Sequence, residues 1–360
     1  MALAFAPAFA SAVIDATGEK VAFCGHVWFK ERTSTKAIRT VGIRFGAVTK
    51  SGGSALTLSL QDVTGITGPP IQPDEIQDQT VAIANADAAF ASNTWLQTGN
   101  LSADRTVSYG DMLAVVIEYD GSGRLSSDSV AISGLSAQGS VTHSNFCAMV
   151  LKTASWAAQA IIPNVILGFS DGTFGTLYGA FPCSATSTLS YDSGTTPDEY
   201  ALRMTFDGPV AIDGGGGFWQ HESGADAEFV VYNGNSAMTD GTRTLDSNMI
   251  QAAAGNRFGF VPSGAYLSLS ADTNYHLSLK PTTTNNVLLH YFDVAAAGHL
   301  QAHAGGEGWV LCEQTNGGGY SITAATRRPF LWPMLAGIDD GAGGGGGTAI
   351  IRRGGLSARL

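Results

Sequence analysis

Ala55-Leu56-Thr57-Leu58-Ser59-Leu60-Gln61-Asp62-Val63 decides the fold. Leucine falls on every second position, and Thr57, Ser59 and Gln61 fall between. A period of two puts the leucines on one face of an extended chain and the polar residues on the other. Upstream, across the turn Ser51-Gly52-Gly53-Ser54, lies Thr40-Val41-Gly42-Ile43-Arg44-Phe45-Gly46-Ala47-Val48. Before it comes Val21-Ala22-Phe23-Cys24-Gly25-His26-Val27-Trp28-Phe29-Lys30, rich in β-branched and aromatic residues. Downstream, Met112-Leu113-Ala114-Val115-Val116-Ile117-Glu118-Tyr119 is a continuous apolar run closed by Asp120-Gly121, which reads as a central strand. Pro69-Pro70 to Pro73-Asp74-Glu75 marks a loop.

The second half has the same style. Strands are expected at Ala201–Phe206, Ala227–Tyr232, Tyr266–Leu269, His276–Lys280 and Asn286–Phe292, with turn residues between them. Helical periodicity is scarce, with short helical turns expected only at Asp87–Thr94 and Met249–Asn256. Two anchors suggest an internal duplication. Ala37-Ile38-Arg39 echoes Ala201-Leu202-Arg203, with Arg39 and Arg203 164 residues apart. Leu101-Ser102-Ala103-Asp104 recurs as Leu269-Ser270-Ala271-Asp272, 168 residues on. The expected fold is all-β, with two tandem jelly-roll-like β-sandwiches. An apolar N-terminal arm covers 1–18 and the first sandwich 19–135. A connecting region, where strands of the second sandwich can begin, covers 136–197. The second sandwich covers 198–325 and a Gly-rich C-terminal tail 326–360.

Met1-Ala2-Leu3-Ala4-Phe5-Ala6-Pro7-Ala8-Phe9-Ala10 is apolar, but Pro7 interrupts it and the first basic residue is Lys20. It reads as an apolar arm or an edge strand rather than a cleaved signal. No stretch approaches 18 uninterrupted apolar residues, so no membrane span is expected. Charged residues make up 14% of the chain, well below the roughly one quarter usual in a soluble domain. The net charge is −11. The only basic clusters, Arg327-Arg328 and Arg352-Arg353, are too small for a phosphate-tracking groove, so nucleic acid is not an expected partner. Cys24, Cys147, Cys183 and Cys312 show no CxxC spacing. They read as buried thiols rather than as a zinc site or a disulfide framework.

No motif for catalysis stands out, and neither an enzyme nor a cofactor is expected. Gly134-Leu135-Ser136-Ala137-Gln138-Gly139 places its second glycine one residue too late for a nucleophile elbow. Asp192-Ser193-Gly194-Thr195 reads as a turn. His299 and His303, four apart and flanked by glycines, form a poor zinc pair. Asp120-Gly121-Ser122-Gly123 and Asp213-Gly214 lack the acidic density of a calcium loop and read as β-turns. Gly214 to Gly217 lacks the Lys-Ser/Thr continuation of a P-loop and reads as a hairpin tip. Glu118, Asp120, Glu222 and Glu228 could supply paired carboxylates, but nothing singles out a pair. Trp219, beside that glycine run and close to His221, is a candidate loop-tip aromatic for stacking on a sugar ring. The alternative is a core or interface tryptophan.

The C-terminal stretch Trp332-Pro333-Met334-Leu335-Ala336-Gly337-Ile338-Asp339-Asp340 leads through Gly341-Ala342 into five glycines, Gly343 to Gly347. It resumes as Thr348-Ala349-Ile350-Ile351-Arg352-Arg353. Ordering such a run costs backbone entropy, so a tie to its own domain or to a neighbouring subunit is expected. Phe330, Leu331, Trp332, Ile350, Ile351, Arg352 and Arg353 are the candidate assembly residues.

The chain resembles virion structural proteins of tailed bacteriophages, of the tail-fibre, baseplate-associated or head-decoration type. Arg327-Arg328-Pro329-Phe330-Leu331-Trp332-Pro333, the Asp339-Asp340-Gly341-Ala342-Gly343 junction and the paired strand sets carry the resemblance. It implies a virion location, other virion subunits as partners, a homo-oligomer and a contribution to host attachment through surface glycans. A glycan-binding, lectin-like module is the alternative. A polysaccharide-degrading enzyme ranks third.

Overall fold

The computed structural model describes residues 5–51, 53–64, 71–121, 123–137, 147–222, 225–245, 255–260, 266–303 and 306–338. Within them the chain forms 29 strands and two short 3₁₀ helices. The architecture is all-β, built from several antiparallel sheets. No helix among the described residues is long and apolar enough to cross a membrane. The chain divides into two compact units.

The N-terminal unit comprises Ala4–Ser184 and Val294–His303. Strand Met112–Glu118 lies at the centre of one layer, bonded to Lys20–Trp28 on one edge and to Leu56–Gln61 on the other. Leu113, Val115 and Ile117 enter the main core beside Phe23, Phe45 and Leu58. Ala114 and Val116 point the other way, into a second apolar layer with Ala22, Cys24, Val150 and Trp156. Burial on both faces accounts for the unbroken apolar run. Leu56, Leu58 and Leu60 are all buried in the main core, as their alternation predicts. Ser59 and Gln61 are buried too, and Gln61 Nε2 donates to Ser59 Oγ at 2.9 Å.

The 15-residue strand Thr35–Thr49 binds four partners: Trp95–Gln97, Arg105–Ser108, Val165–Phe169 and Ser129–Ala137. Of the 136–197 stretch, Ala148–Lys152, Trp156–Ala158, Ile161–Pro163, Val165–Phe169 and Phe174–Leu177 are strands of this unit. The N-terminal apolar segment is a strand, Phe5–Ile14, at the end of the sheet beside Ser129–Ala137.

The segment expected to be helical at Asp87–Thr94 is instead a series of turns. Asp87 Oδ1 accepts the Ala89 N–H at 2.8 Å, and Thr94 Oγ1 lies 2.6 Å from the Ala89 carbonyl oxygen. Asn93 has φ 60°. Such side-chain bonds to the backbone compete with a helical ladder.

The C-terminal unit comprises Ala185–Asp293 and Ala304–Leu360. Two sheets enclose its core. In one, Val210–His221 is bonded to Gly255–Phe260, Leu267–Leu269, Val287–Asp293 and Leu331–Ile338. In the other the order is Ser236–Leu245, Ala227–Asn233, Tyr275–Pro281, Glu199–Met204, Leu311–Gln314, Ser321–Ile322. Leu202, Met204, Phe229, Val231, Leu277 and Leu279 from this sheet meet Ile212, Trp219, Val287, Leu289 and Leu331 from the first.

Gly214 to Gly217 is not a hairpin tip and Asp213-Gly214 is not a turn. Both lie inside the 12-residue strand Val210–His221. A Cβ on Gly215 would sit 2.9 Å from Leu277 Cδ1, and one on Gly217 2.5 Å from the Phe330 carbonyl oxygen. Close neighbours, rather than a reversal of the chain, demand the glycines. Gly255 and Asn256, the end of the second expected helical turn, begin the strand Gly255–Phe260 next to this run; 249–254 lie outside the described residues.

The Ala-Ile/Leu-Arg anchors lie in strands of both units, whereas the Leu-Ser-Ala-Asp anchors lie in bends and turns except for Leu269. Each Ala-Ile/Leu-Arg strand pairs with the strand that follows its Leu-Ser-Ala-Asp: Ile38 faces Arg105, and Leu202 faces Leu277. The first partner comes one residue after Asp104 and the second five after Asp272, so the pairing registers differ by four.

Candidate functional site

Three places in the fold gather side chains able to bind something. The first is the outer face of the six-stranded sheet. Alternation turns Tyr200, Leu202 and Met204 into the core, which leaves Glu199 on the other side with His276, Ser278 and Tyr232 of the neighbouring strands. Glu199 is only 2% exposed. It accepts Ser278 Oγ at 2.5 Å and the Tyr320 hydroxyl at 2.8 Å, and Tyr232 is hydrogen-bonded into the same group. His276 stacks on Tyr320 with ring centroids 4.2 Å apart, and its Nδ1 lies 2.9 Å from the Gly234 carbonyl oxygen.

The loop 315–320 carries Tyr320 over this face. Asn316 and Gly317 give it its bend, with φ 50° and 70°. Gln314 Nε2 donates to the Gly318 carbonyl, and Asn235 Oδ1 accepts the Tyr320 N–H. Burial, reinforced by the Glu199 charge, pushes the Tyr232 and Tyr320 phenols well above their ordinary range. Burial lowers His276. The imidazole is then neutral near pH 7, with Nδ1–H donating to Gly234. The carboxyl group is buried beneath a tyrosine and held by hydroxyl donors, so it presents almost no exposed surface to a substrate.

The second place is in the N-terminal unit, where Trp95, Gln97, Thr40, Gly42 and Gly168 share a sheet surface. A Cβ on Gly42 would lie 2.5 Å from Gln97 Oε1 and 2.7 Å from Trp95 Cζ2, so both side chains rest across that glycine. Gln97 is exposed, Trp95 is half-buried, and Gln97 Nε2 donates to Thr40 Oγ1 at 2.9 Å. His299, on the 3₁₀ helix Ala297–Ala302, packs its ring 5.7 Å from Trp95 and 4.8 Å from Phe174. Burial lowers its pKa to about 4. His303 faces elsewhere, 4.8 Å from the Phe181 ring and 3.3 Å from the Pro182 carbonyl oxygen. A 3₁₀ helix repeats every three residues, so a spacing of four does not put the two imidazoles on one face. Among the described residues no group of three or more His, Cys, Asp or Glu is placed to hold a metal ion.

The third place is the strand Phe5–Ile14. It is paired with Ser129–Ala137 in unbroken register from Phe9 opposite Leu135 to Ile14 opposite Val130. Ala12 and Ile14 are in the core. The alternate residues face outward. The Arg44 guanidinium lies 3.5 Å from the Phe9 ring centroid, Ser11 Oγ is 2.7 Å from Ser133 Oγ, and Val13 is 41% exposed. Among the described residues no strand pairs with its other edge. Phe5–Ile14 holds no charged residue. The edge strand Ala185–Tyr191 of the C-terminal unit is likewise uncharged.

The residues singled out by sequence fall differently. Trp219 is fully buried in the core of the C-terminal unit, 5.3 Å from the Phe229 ring, and His221 is buried on the same strand. Neither is a loop-tip contact, because the glycines beside them are in mid-strand. Phe330 and Leu331 are buried within their own unit. Trp332 is half-buried on strand Leu331–Ile338, opposite Gly216. Ile350, Ile351, Arg352 and Arg353 lie outside the described residues, as does the 339–343 junction. Arg328 is buried and donates to the Trp309 and Gly306 carbonyls, and burial lowers its pKa to about 9. Asp192 forms a turn, accepting the Gly194 N–H at 2.6 Å. All four cysteines are buried as thiols.

Sequence reasoning missed the Glu199 group and the Trp95–Gln97 surface. The signal for Glu199 was faint: an alternating strand whose outward residues, His276 and Ser278, are unusually small or neutral for a solvated face. No family model, no curated protein and no solved structure matches this chain.

Proposed function

We propose that this chain is a structural component of a bacteriophage virion, of tail-fibre, baseplate or head-decoration type, acting through protein–protein assembly and contributing to host attachment. Its two units are read as jelly-roll-like modules. The observation that carries the reading is the strand Phe5–Ile14, a ten-residue sheet edge without a single charge. Sheet edges expose unpaired N–H and C=O groups, and proteins normally blunt them with lysine, proline or a bulge. Pro7 and the register shift between Phe5 and Phe9 blunt the first half here; the regular stretch Phe9–Ile14 has no such device. The low overall charge and the uncharged edge Ala185–Tyr191 support the same reading. The virion context rests on the resemblance carried by Arg327–Pro333 and the residues that follow. In this reading Ile350, Ile351, Arg352 and Arg353 dock on a neighbouring subunit. The test is mass spectrometry of particles purified from cells that carry the gene. Peptides of this chain banding with a DNA-containing particle support the reading. Peptides confined to the non-particulate fraction overturn it.

A glycan-binding role is the second reading, and the observation favouring it is the Trp95–Gln97 surface. A half-buried indole beside an exposed amide, laid over a glycine, offers stacking and hydrogen bonding to one ligand. Host-surface saccharides should then change the tryptophan fluorescence of the native chain, and Trp95→Phe should remove the response. A response retained in that variant removes this surface from consideration.

A further inference from the structure

The uncharged edge also says what covers it. We infer that strand Phe5–Ile14 pairs antiparallel with the same strand of a second copy, across a two-fold axis through Ser11. This rests on the assembly reading and names its partner.

Two copies related by a two-fold present the same patch to each other, so the patch must be complementary to its own reverse. Ala8-Phe9-Ala10-Ser11-Ala12-Val13-Ile14 meets that condition. Antiparallel pairing centred on Ser11 sets each Ala10 against Ala12 of the second copy. It sets each Phe9 against Val13, and Ser11 against itself. On the outward face this gives two aromatic–β-branched pairs flanking a serine pair, combinations that stabilise antiparallel strands. On the core face it opposes two small alanines. Val13, a large exposed apolar side chain, becomes covered by the Phe9 ring, against which Arg44 already packs. Shifting the centre by one residue keeps the faces matched but loses the aromatic–β-branched pairs: centred on Ala10 it sets Phe9 against Ser11 and Val13 against Pro7, and centred on Ala12 it sets Phe9 against Asp15. Shifting it by two residues, to Phe9 or Val13, would oppose two large residues of one kind.

Charge permits the same answer. No like charges meet within the paired stretch, and the first acidic residue, Asp15, falls opposite Pro7. Pro7 lacks an N–H, and the Phe5/Phe9 irregularity breaks the regular register at that end. The paired stretch is therefore seven residues, 8 to 14, bounded at both ends. The backbone groups left open on the far edge of Phe5–Ile14 find partners without any change in the fold of either copy.

The test is a single added cysteine. All four native cysteines are buried, so the introduced thiol is the accessible one. Ser11→Cys in the full chain places two thiols directly opposite across the axis, within the Cα separation a disulfide requires. Mild oxidation should convert more than half of the chains to a disulfide dimer on a non-reducing gel. Val13→Cys should give less than a tenth of that yield, because the two introduced thiols lie four residues apart, about 13 Å. Light scattering of the same samples under reducing conditions separates the two claims. An oligomer whose Ser11→Cys variant forms no disulfide dimer, or with equal yields at both positions, overturns the two-fold pairing and leaves the assembly reading standing. A monomer at every concentration tested overturns both. Val13→Lys, at an exposed side chain that the fold does not need, should weaken self-association at least tenfold. Unchanged association in that variant also overturns the pairing.

Discussion

Strands Met112–Glu118 and Tyr275–Pro281 are each seven residues long, each lies between two neighbours, and each is buried on both faces. They reach that state by opposite chemistry. Met112–Glu118 sends apolar side chains both ways, into the main core and into the Val150–Trp156 layer. Tyr275–Pro281 sends Tyr275, Leu277 and Leu279 into the core and His276 and Ser278 into the Glu199 group. An apolar second face loses stability in proportion to what is removed. A polar second face concentrates its stability on the one acceptor that satisfies its donors. Losing that acceptor strands several groups at once.

The comparison breaks most readily at that acceptor. Glu199→Ala leaves the Tyr320 hydroxyl buried without its acceptor and Ser278 with only a 3.3 Å contact to the Tyr200 carbonyl, and should cost about 3 kcal/mol, read from urea unfolding. An unchanged midpoint would mean that the hydroxyls find other partners and that the carboxylate is not the hub. Val116→Ala, the corresponding deletion in the apolar layer, should cost about 2 kcal/mol. A loss larger than that of Glu199→Ala would reverse the comparison.

The histidines sharpen it through pH. Burial lowers the pKa of His276 in one unit and of His299 in the other, the latter from 6.5 to about 4. A depressed folded pKa means the unfolded chain binds the extra proton first. The stability these groups contribute is complete above about pH 6.5 and falls as the pH drops toward 4. The slope per group is at most about 1.4 kcal/mol per pH unit. His299→Gln should flatten the N-terminal unit's share of that decline. An undiminished slope would place the titrating group elsewhere.

The smallest expected signal is none. Burial pushes the thiols of Cys24 and Cys147 well above their ordinary range and that of Cys312 to about 11. A thiol reagent should label no cysteine in the native chain and all four in denaturant. Fast labelling of one in the native state would show that its layer opens.

These contrasts bear on how far the sequence could be read. Leu56, Leu58 and Leu60 alternate because one face of their strand meets the core, and Met112–Tyr119 is unbroken because both faces do. Local pattern and tertiary burial agree there, so the strands were legible. Gly214 to Gly217 reads as a tip because glycine favours turns. Its true cause is the approach of Leu277 and of the Phe330 carbonyl, which are distant in sequence. That one misreading carried Trp219 and His221 with it. Ala185–Tyr191 has two large side chains among seven residues, too few to show a period, and it hid inside a Ser/Thr-rich stretch. Glu199 was hard to see because its partners come from two other strands and a loop. The edge at Phe5–Ile14 was half legible: its lack of charge could be read, and an edge strand was one of two readings that the sequence could not decide between.

Self-association through that edge is the central claim. Light scattering after size exclusion, on the full chain and on its Val13→Lys variant at matched concentrations, tests it most directly. The account predicts an even number of copies for the full chain and half that mass or less for the variant. Equal masses for the two would contradict it.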